Sequence, residues 1–360
     1  MKNSRTSFSY SPVATALGCT LALGLSLPRN AAAATCALPV PGAPACYYVD
    51  QLQIDTLASQ VQNRSGVRIA SVSSGIDFSV PSLSAAVVRN QGEMGQGRED
   101  NGVDDDANGY VDDAYGYDVL REYKSPRDSR LALGTYAASM WVGEQRRGFA
   151  SDSRPLLFRG FVRGAGLIPV RVVNETGLTS LEATMQGIRY AAARGARIIH
   201  LEVTLQTAAG QPLCDVIREV GLRGSLVVAP AGNRGLEVGP RDFPAACDAD
   251  NLVIVAATDA SGALARFSSY GASRVDVAAP GVDIAGLDST GTITTRTGTG
   301  SASALVSGVA ALLAAARPGE TPQHLKRRLV LGSDDTPSLY DKVAGKGRLN
   351  AMKAFTTKDR

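Results

Sequence analysis

Two histidines limit the chemistry that this chain of 360 residues can perform. His200 lies two residues before Glu202 in an apolar run, so both side chains would face the same side of a β-strand. Together with Ser301 they could form a nucleophilic set, in which the histidine takes the hydroxyl proton and the carboxylate orients the histidine. The simpler interpretation is a strand histidine satisfied by a local hydrogen bond. His324 lies in a basic helical stretch, where we expect it to be solvated.

An acidic stretch at residues 99–113 is the second candidate site. Its alternating carboxylate and amide side chains, followed by Gly109, match the first half of a calcium loop, D-x-D-x-N-G. The twelfth position of that loop holds Tyr115 instead of the usual bidentate glutamate. Hard oxygen ligands favour Ca²⁺ over transition metals, and the alternative is a solvated acidic turn. The predicted ligands are Asp104, Asp106, Asn108 and Asp112.

The N-terminal segment has the pattern of a secretory signal peptide. A basic start precedes Val13–Leu27, an apolar run of about 15 residues that is short for a membrane span. Small residues follow, which predicts cleavage after Ala33 or Ala34 and a signal peptide at residues 1–34. An uncleaved anchor and a lipid on Cys19 are the alternatives. The pattern predicts a secreted or periplasmic protein.

Removal of this segment would leave four of the five cysteines. An even number in an exported protein indicates two disulfides. The simplest pairing joins Cys36 to Cys46 and Cys214 to Cys247, although three pairings are open. A metal site is less expected at these cysteines, because no CxxC motif and no nearby histidine accompany them.

Bulk charge argues against a nucleic-acid partner. The chain has 37 basic and 34 acidic residues, and three of the basic ones, Lys2, Arg5 and Arg29, precede the predicted cleavage point. The mature balance is therefore 37 − 3 = 34 against 34, or zero, which gives no electrostatic basis for binding phosphates or an anionic membrane. A second apolar run, Ala302–Ala316, is short and is typical of a buried core helix.

Strand-like and helix-like segments must position these residues. They alternate from Val67 onward, and the strands are apolar on both faces, which predicts an α/β fold with a mostly parallel sheet between two helical layers. We expect a lead-in at residues 35–66, with one helix near Asp50–Gln62, and one domain at residues 67–356. Thr321 and Pro322 are placed to start a last helix.

Eight ordered motifs between Val67 and Ala316 resemble those of the subtilisin-like serine proteases, the subtilases (peptidase S8). They include VRIASVSSGID, LGTYAAS, LIPVRVV, VVAPAGN, ARFSSYG, VDVAAPG and GTGSASALVSG. The resemblance implies a three-layer subtilisin-like fold. It also aligns the Asp-His-Ser triad of the family with Ser73, Leu133 and Gly300, so that none of the three catalytic groups is present.

The resemblance also identifies binding positions. Asn233 aligns with the asparagine that donates to the oxyanion, and a structural role in its glycine-rich turn is the other interpretation. Glu202, Val203 and Thr204 align with a Ser-Leu-Gly strand edge that binds the substrate backbone. The added charge and bulk predict an altered groove.

These observations predict a secreted pseudoprotease that binds or scaffolds an extracytoplasmic protein or peptide, such as an active protease. An active secreted serine endopeptidase with an atypical site is the alternative, and another hydrolase activity on the same scaffold is a third. We expect no nucleic-acid partner, and no membrane contact after signal cleavage.

Overall fold

Strands and helices alternate along the chain, as the sequence predicts. The structure is a computed structural model, and it describes residues 36–37, 46–121, 126–128, 130–146 and 157–358. The predicted signal peptide lies outside the described residues. The strands are β1 Cys36–Ala37, β2 Arg68–Ser73, β3 Tyr117–Asp118, β4 Glu144–Arg146, β5 Leu157–Arg159, β6 Gly166–Arg171, β7 Ile198–Leu201, β8 Leu205–Gln206, β9 Leu226–Pro230, β10 Asp242–Phe243, β11 Leu252–Thr258, β12 Val277–Pro280, β13 Ile284–Leu287, β14 Ile293–Arg296, β15 Ser333–Asp335 and β16 Gly347–Leu349. The helices are α1 Tyr47–Leu52, α2 Ile54–Gln60, α3 Pro81–Ala86, α4 Leu133–Val142, α5 Leu181–Ala193, α6 Gln211–Leu222, α7 Thr299–Ala316, α8 Pro322–Leu331 and α9 Ala351–Thr356, with 3₁₀ turns at Gln91–Glu93, Arg98–Asp100 and Pro337–Leu339.

A nine-stranded sheet forms the centre of the described structure. Its strand order is β15-β16-β12-β11-β9-β7-β2-β6-β3, and all neighbours are parallel except β15 and β16. Strand β9 shows why the strands are apolar throughout: Leu226 and Val228 enter one core, while Val227 and Ala229 enter the other. The predicted α/β fold with a mostly parallel sheet is confirmed.

Helices cover both faces of this sheet. Helices α4 and α7 pack in one hydrophobic core, and α5 and α6 pack in the other. Among the described helices, α7 alone is long and apolar enough to cross a membrane, yet most of its residues are buried inside the domain. It is therefore a core helix, as its sequence predicts.

The segments outside the regular alternation differ from expectation in two places. The lead-in forms two short helices instead of one, because the backbone at Gln53 is left-handed and breaks the helix. Leu52, Ile54 and Leu57 are fully buried in the main core. At the other end, α8 starts at Thr321 and Pro322 as predicted, but α9 follows it. Six residues are too few to show helical periodicity.

One predicted disulfide is present. Cys214 of α6 is bonded to Cys247, with an S–S distance of 2.05 Å. Cys46 is also disulfide-bonded, whereas the side chain of Cys36, its predicted partner, lies outside the described part of the chain.

Candidate functional site

A cleft lies where three parallel strands end and two helices begin. Ser73 ends β2, Glu202 follows β7, and Asn233 follows β9. Leu133 is the first residue of α4, and Gly300 is the second residue of α7. Because the carboxyl ends of parallel strands share one edge, open α/β sheets bind ligands there. We call these five residues, together with the adjacent Thr204 and Thr299, the cleft.

The carboxylate of Glu202, which follows β7, lies between the end of β2 and the start of α7. Ser73 Oγ donates to Glu202 Oε2 at 3.1 Å. A Cβ atom built on Gly300 would lie 2.8 Å from Glu202 Oε1, closer than such atoms approach in proteins. The side chain of Glu202 is only 12% exposed. The glutamate therefore takes up space that any side chain at position 300 would need.

His200 is completely buried beneath Glu202. Its Nδ1 lies 3.0 Å from Ser307 Oγ, and that hydroxyl donates to the carbonyl of Ser303, so the imidazole is the donor to Ser307. Its Nε2 lies 3.8 Å from Glu202 Oε2 and has no hydrogen-bond partner among the described residues. His200 and Glu202 do face the same side of the strand, but the imidazole of His200 is out of reach of solvent.

Ser301 does not complete a Ser-His-Glu set in this structure. It is 5% exposed, and its Oγ donates a long 3.5 Å hydrogen bond to the carbonyl of Arg296. The Arg296 guanidinium lies over the ring of Tyr136, 5.1 Å from its centre. No hydrogen bond joins Ser301 to His200 within the described residues.

Asp128, which the sequence analysis missed, holds the start of helix α4. Its carboxylate accepts from the backbone N–H of Thr135 at 2.8 Å, from Thr135 Oγ1 and from Ser74 Oγ. Ser74 Oγ in turn accepts from the N–H of Leu133 at 3.1 Å. Burial raises the pKa of Asp128 to about 6, although the hydrogen bonds from Ser74 and Thr135 oppose it. Asp128 lies four residues before Ala132, the N-cap position of α4, so the local sequence signal for a helix start does not mark it.

Asn233 forms the opposite wall of the cleft. Its Oδ1 accepts from Thr299 N at 2.9 Å and from Thr299 Oγ1 at 2.8 Å. The Thr299 hydroxyl accepts from Gly232 N at 3.2 Å. Asn233 is exposed, so its Nδ2 remains available to donate to a ligand. The same side chain therefore caps α7 and presents a donor, and both interpretations of Asn233 fit this geometry.

The strand edge of the predicted groove is only partly accessible. Val203 is buried, while Thr204 is exposed. Strand β8, which begins directly after Thr204, pairs antiparallel with β10. A cavity of about 110 Å³ lies beside Thr204 and Asn233, and the ion pair between Arg234 and Asp242, 2.5 Å long, borders it.

The acidic loop brings together some of its predicted ligands. Oxygens of Asp104 and Asp106 lie within 4.8 Å of each other and of Glu93, which the sequence analysis did not include. Asn108 Oδ1 accepts from Tyr110 N at 2.8 Å. Asp112 faces another turn, where its Oδ1 accepts from the N–H groups of residues 101 and 102 at 2.9 and 3.1 Å.

Known proteins share both the sequence pattern and the fold. The profile of the subtilase family matches residues 64–348. Thermitase from Thermoactinomyces vulgaris is 29% identical over 303 residues, which are 82% of this chain and 91% of thermitase. The thermophilic serine proteinase of Bacillus sp. (strain AK1) is 28% identical over 300 residues, 81% of this chain but 62% of that protein.

A solved structure gives an independent comparison. The crystal structure of MycP1 with the N-terminal propeptide removed superposes with a TM-score of 0.67 at 20% sequence identity. The match covers 87% of this chain and 97% of the MycP1 chain. At this identity the likeness supports the fold.

Proposed function

The chain belongs to the subtilase family, and from this membership we propose that it is a secreted, catalytically inactive subtilisin-like protein. In this proposal it binds an extracytoplasmic protein or peptide in the cleft without cutting it. Such a partner could be an active protease. The observation that carries the proposal is the position of Glu202 between Ser73 and Gly300.

Glu202 supports inactivity for a steric and a chemical reason. A serine at position 300 would place its Cβ 2.8 Å from Glu202 Oε1, so the glutamate carboxylate would have to move away before a nucleophile at that position could fit. The hydroxyl nearest the carboxylate belongs to Ser73, which is fully buried. A nucleophile must reach the substrate carbonyl at about 3 to 3.5 Å, and a buried hydroxyl does not.

An active endopeptidase with an atypical site remains the second candidate, because the relatives are named as proteases. It would need a histidine that can take a proton from an accessible hydroxyl. His200 is fully buried and contacts Ser307, which is itself fully buried. These contacts favour the inactive protein.

Binding without cleavage is supported by the side of the cleft that keeps accessible polar groups. Asn233 presents its Nδ2, and Thr204 is exposed beside a small cavity. An extended segment of a partner could donate and accept hydrogen bonds along this edge, as extended peptides do at exposed strands.

The test compares proteins captured from the exported fraction of the native host. Glu202→Ser with Thr204→Gly, and separately Leu133→Arg, should change the captured set if the cleft is the binding surface. Leu331→Arg is the matched control, because Leu331 is exposed on α8 outside the cleft. If both cleft variants capture the same proteins as the wild type, the cleft does not bind the partner.

Subtilases commonly bind calcium. We also propose that this chain binds Ca²⁺ in its acidic loop, in a structural role separate from the cleft.

A further inference from the structure

A buried glutamate lies beneath the acidic loop. Glu93 is fully buried at the end of a 3₁₀ turn. Its Oε1 accepts from the backbone N–H groups of Asp105 at 2.8 Å and Asp106 at 3.2 Å. Its Oε2 has no hydrogen-bond partner among the described residues. Buried carboxylates are ordinarily paired or bound to metal, because an isolated buried charge is costly.

Two more carboxylates converge on the same point. One oxygen from each of Glu93, Asp104 and Asp106 lies within 4.8 Å of the others. Like charges at this separation repel one another. A dication between the three groups would convert that repulsion into attraction.

The glycine at position 92 allows these carboxylates to come close together. A Cβ on Gly92 would lie 2.4 Å from Asp106 Cβ, so only glycine allows Asp106 to come so close. Asn90 Nδ2 donates to Asp106 Oδ2 at 2.8 Å and fixes its orientation. Asp112, in contrast, uses its carboxylate to hold the turn at residues 101 and 102.

We propose that Ca²⁺ is bound by Glu93, Asp104 and Asp106, and that Glu93 replaces the acidic ligand that the linear motif lacks at Tyr115. A calcium loop usually closes with a glutamate at its twelfth position. Here the glutamate comes from eleven residues before Asp104. The ion thereby ties the loop to the segment that precedes it. This inference rests on the proposal that the loop binds calcium.

The test measures Ca²⁺ binding by calorimetry and melting temperature with and without chelator, in the full mature protein. Glu93→Gln keeps an oxygen for the two backbone N–H groups but removes the charge. Glu99→Gln is the matched control, because Glu99 is a partly exposed acid of the same loop that accepts from Gly95 N and is not among the three converging carboxylates. Asp112→Asn tests the ligand that the sequence motif predicts.

We expect Glu93→Gln to weaken Ca²⁺ binding by at least about 100-fold, the upper range for residues that only orient metal ligands, and the two other variants to bind within a few-fold of the wild type. In chelator, Glu93→Gln should melt no lower than the wild type, because no buried charge remains unpaired. A purely structural role would lower the melting temperature equally with and without calcium, and would overturn the assignment.

The possible failures are distinguishable. If the wild type binds Ca²⁺ and Glu93→Gln binds it equally well, Glu93 is not a ligand but the loop still binds calcium. If the wild type binds no Ca²⁺, both proposals fail.

Discussion

The two sides of the cleft differ in what they retain. The first, which we call the glutamate side, consists of Ser73, Glu202 and Gly300, where a carboxylate fills the space beside the helix. The second, the amide side, consists of Asn233 and Thr299, where an accessible amide is held by two hydrogen bonds. On our proposal, the glutamate side no longer provides the groups that a serine protease needs for proton transfer and attack, whereas the amide side keeps a group that binds a partner.

If our proposal holds, this difference means that catalytic groups can be lost from one side of a cleft while the structure of the other side is kept. Asn233 caps helix α7, so its replacement would disturb the fold as well as the site. Residues that only perform chemistry have no such second role. On our proposal, the glutamate side could therefore change while the amide side remained.

The largest effect should come from rebuilding the glutamate side. Ser73→Asp, Leu133→His and Gly300→Ser together should leave peptide hydrolysis undetectable, because Glu202 still occupies the space beside position 300. Adding Glu202→Ser should raise kcat/KM by at least about 100-fold over the triple variant, because a positioned general base contributes at least that factor to the rate. Rates on a fluorogenic peptide measure this, with circular dichroism to verify folding. Equal activity in the triple and quadruple variants would contradict the role of Glu202.

A pH test addresses Asp128, which holds the start of helix α4. Folding raises the pKa of Asp128 from 3.8 to about 6, so the folded state binds more protons than the unfolded state between those values. Stability should therefore fall as pH rises through this window, by up to ~3 kcal/mol at about 1.4 kcal/mol per pKa unit. Asp128→Asn should remove that part of the fall. Urea unfolding at pH 4 and pH 7 compares the two proteins, and parallel pH profiles would refute the shift.

A smaller effect should follow from Gly300→Ser alone. In a helix this change ordinarily stabilises by about 0.5 kcal/mol, but crowding against Glu202 should make it cost about 1–3 kcal/mol. Glu202→Ser should relieve the cost in a double-mutant cycle. Gly319→Ser is the control, because nothing lies within 4 Å of a Cβ there. Additive effects in the cycle would show that the two positions are independent.

The smallest effect should come from the amide side. Asn233→Ala removes the acceptor for Thr299 N and should cost about 1 kcal/mol, as loss of a helix cap does. Asn233→Asp keeps the acceptor and should cost less. On our proposal, the wild type and both variants show no peptide hydrolysis. Measurable cleavage by the wild type that Asn233→Ala reduces would mean that the amide side serves catalysis.

The sequence predicted the sheet, the core helices and the Cys214–Cys247 disulfide, because apolar periodicity and cysteine number depend on local pattern. It did not predict Asp128 or Glu93. Both are defined by tertiary contacts: Asp128 by Ser74, 54 residues away, and Glu93 by the loop that folds over it. Spacing along the chain also placed Asp112 among the calcium ligands, although its carboxylate faces another turn.

On our proposal, the cleft binds a protein or peptide without performing acyl transfer. Labelling of the mature protein with a serine-directed fluorophosphonate, followed by intact-mass spectrometry, tests this most directly, with thermitase as the positive control. We expect no mass shift for this protein under conditions that label the control completely. Stoichiometric labelling that disappears in Ser301→Ala would contradict it, because it would reveal an activated serine in the cleft.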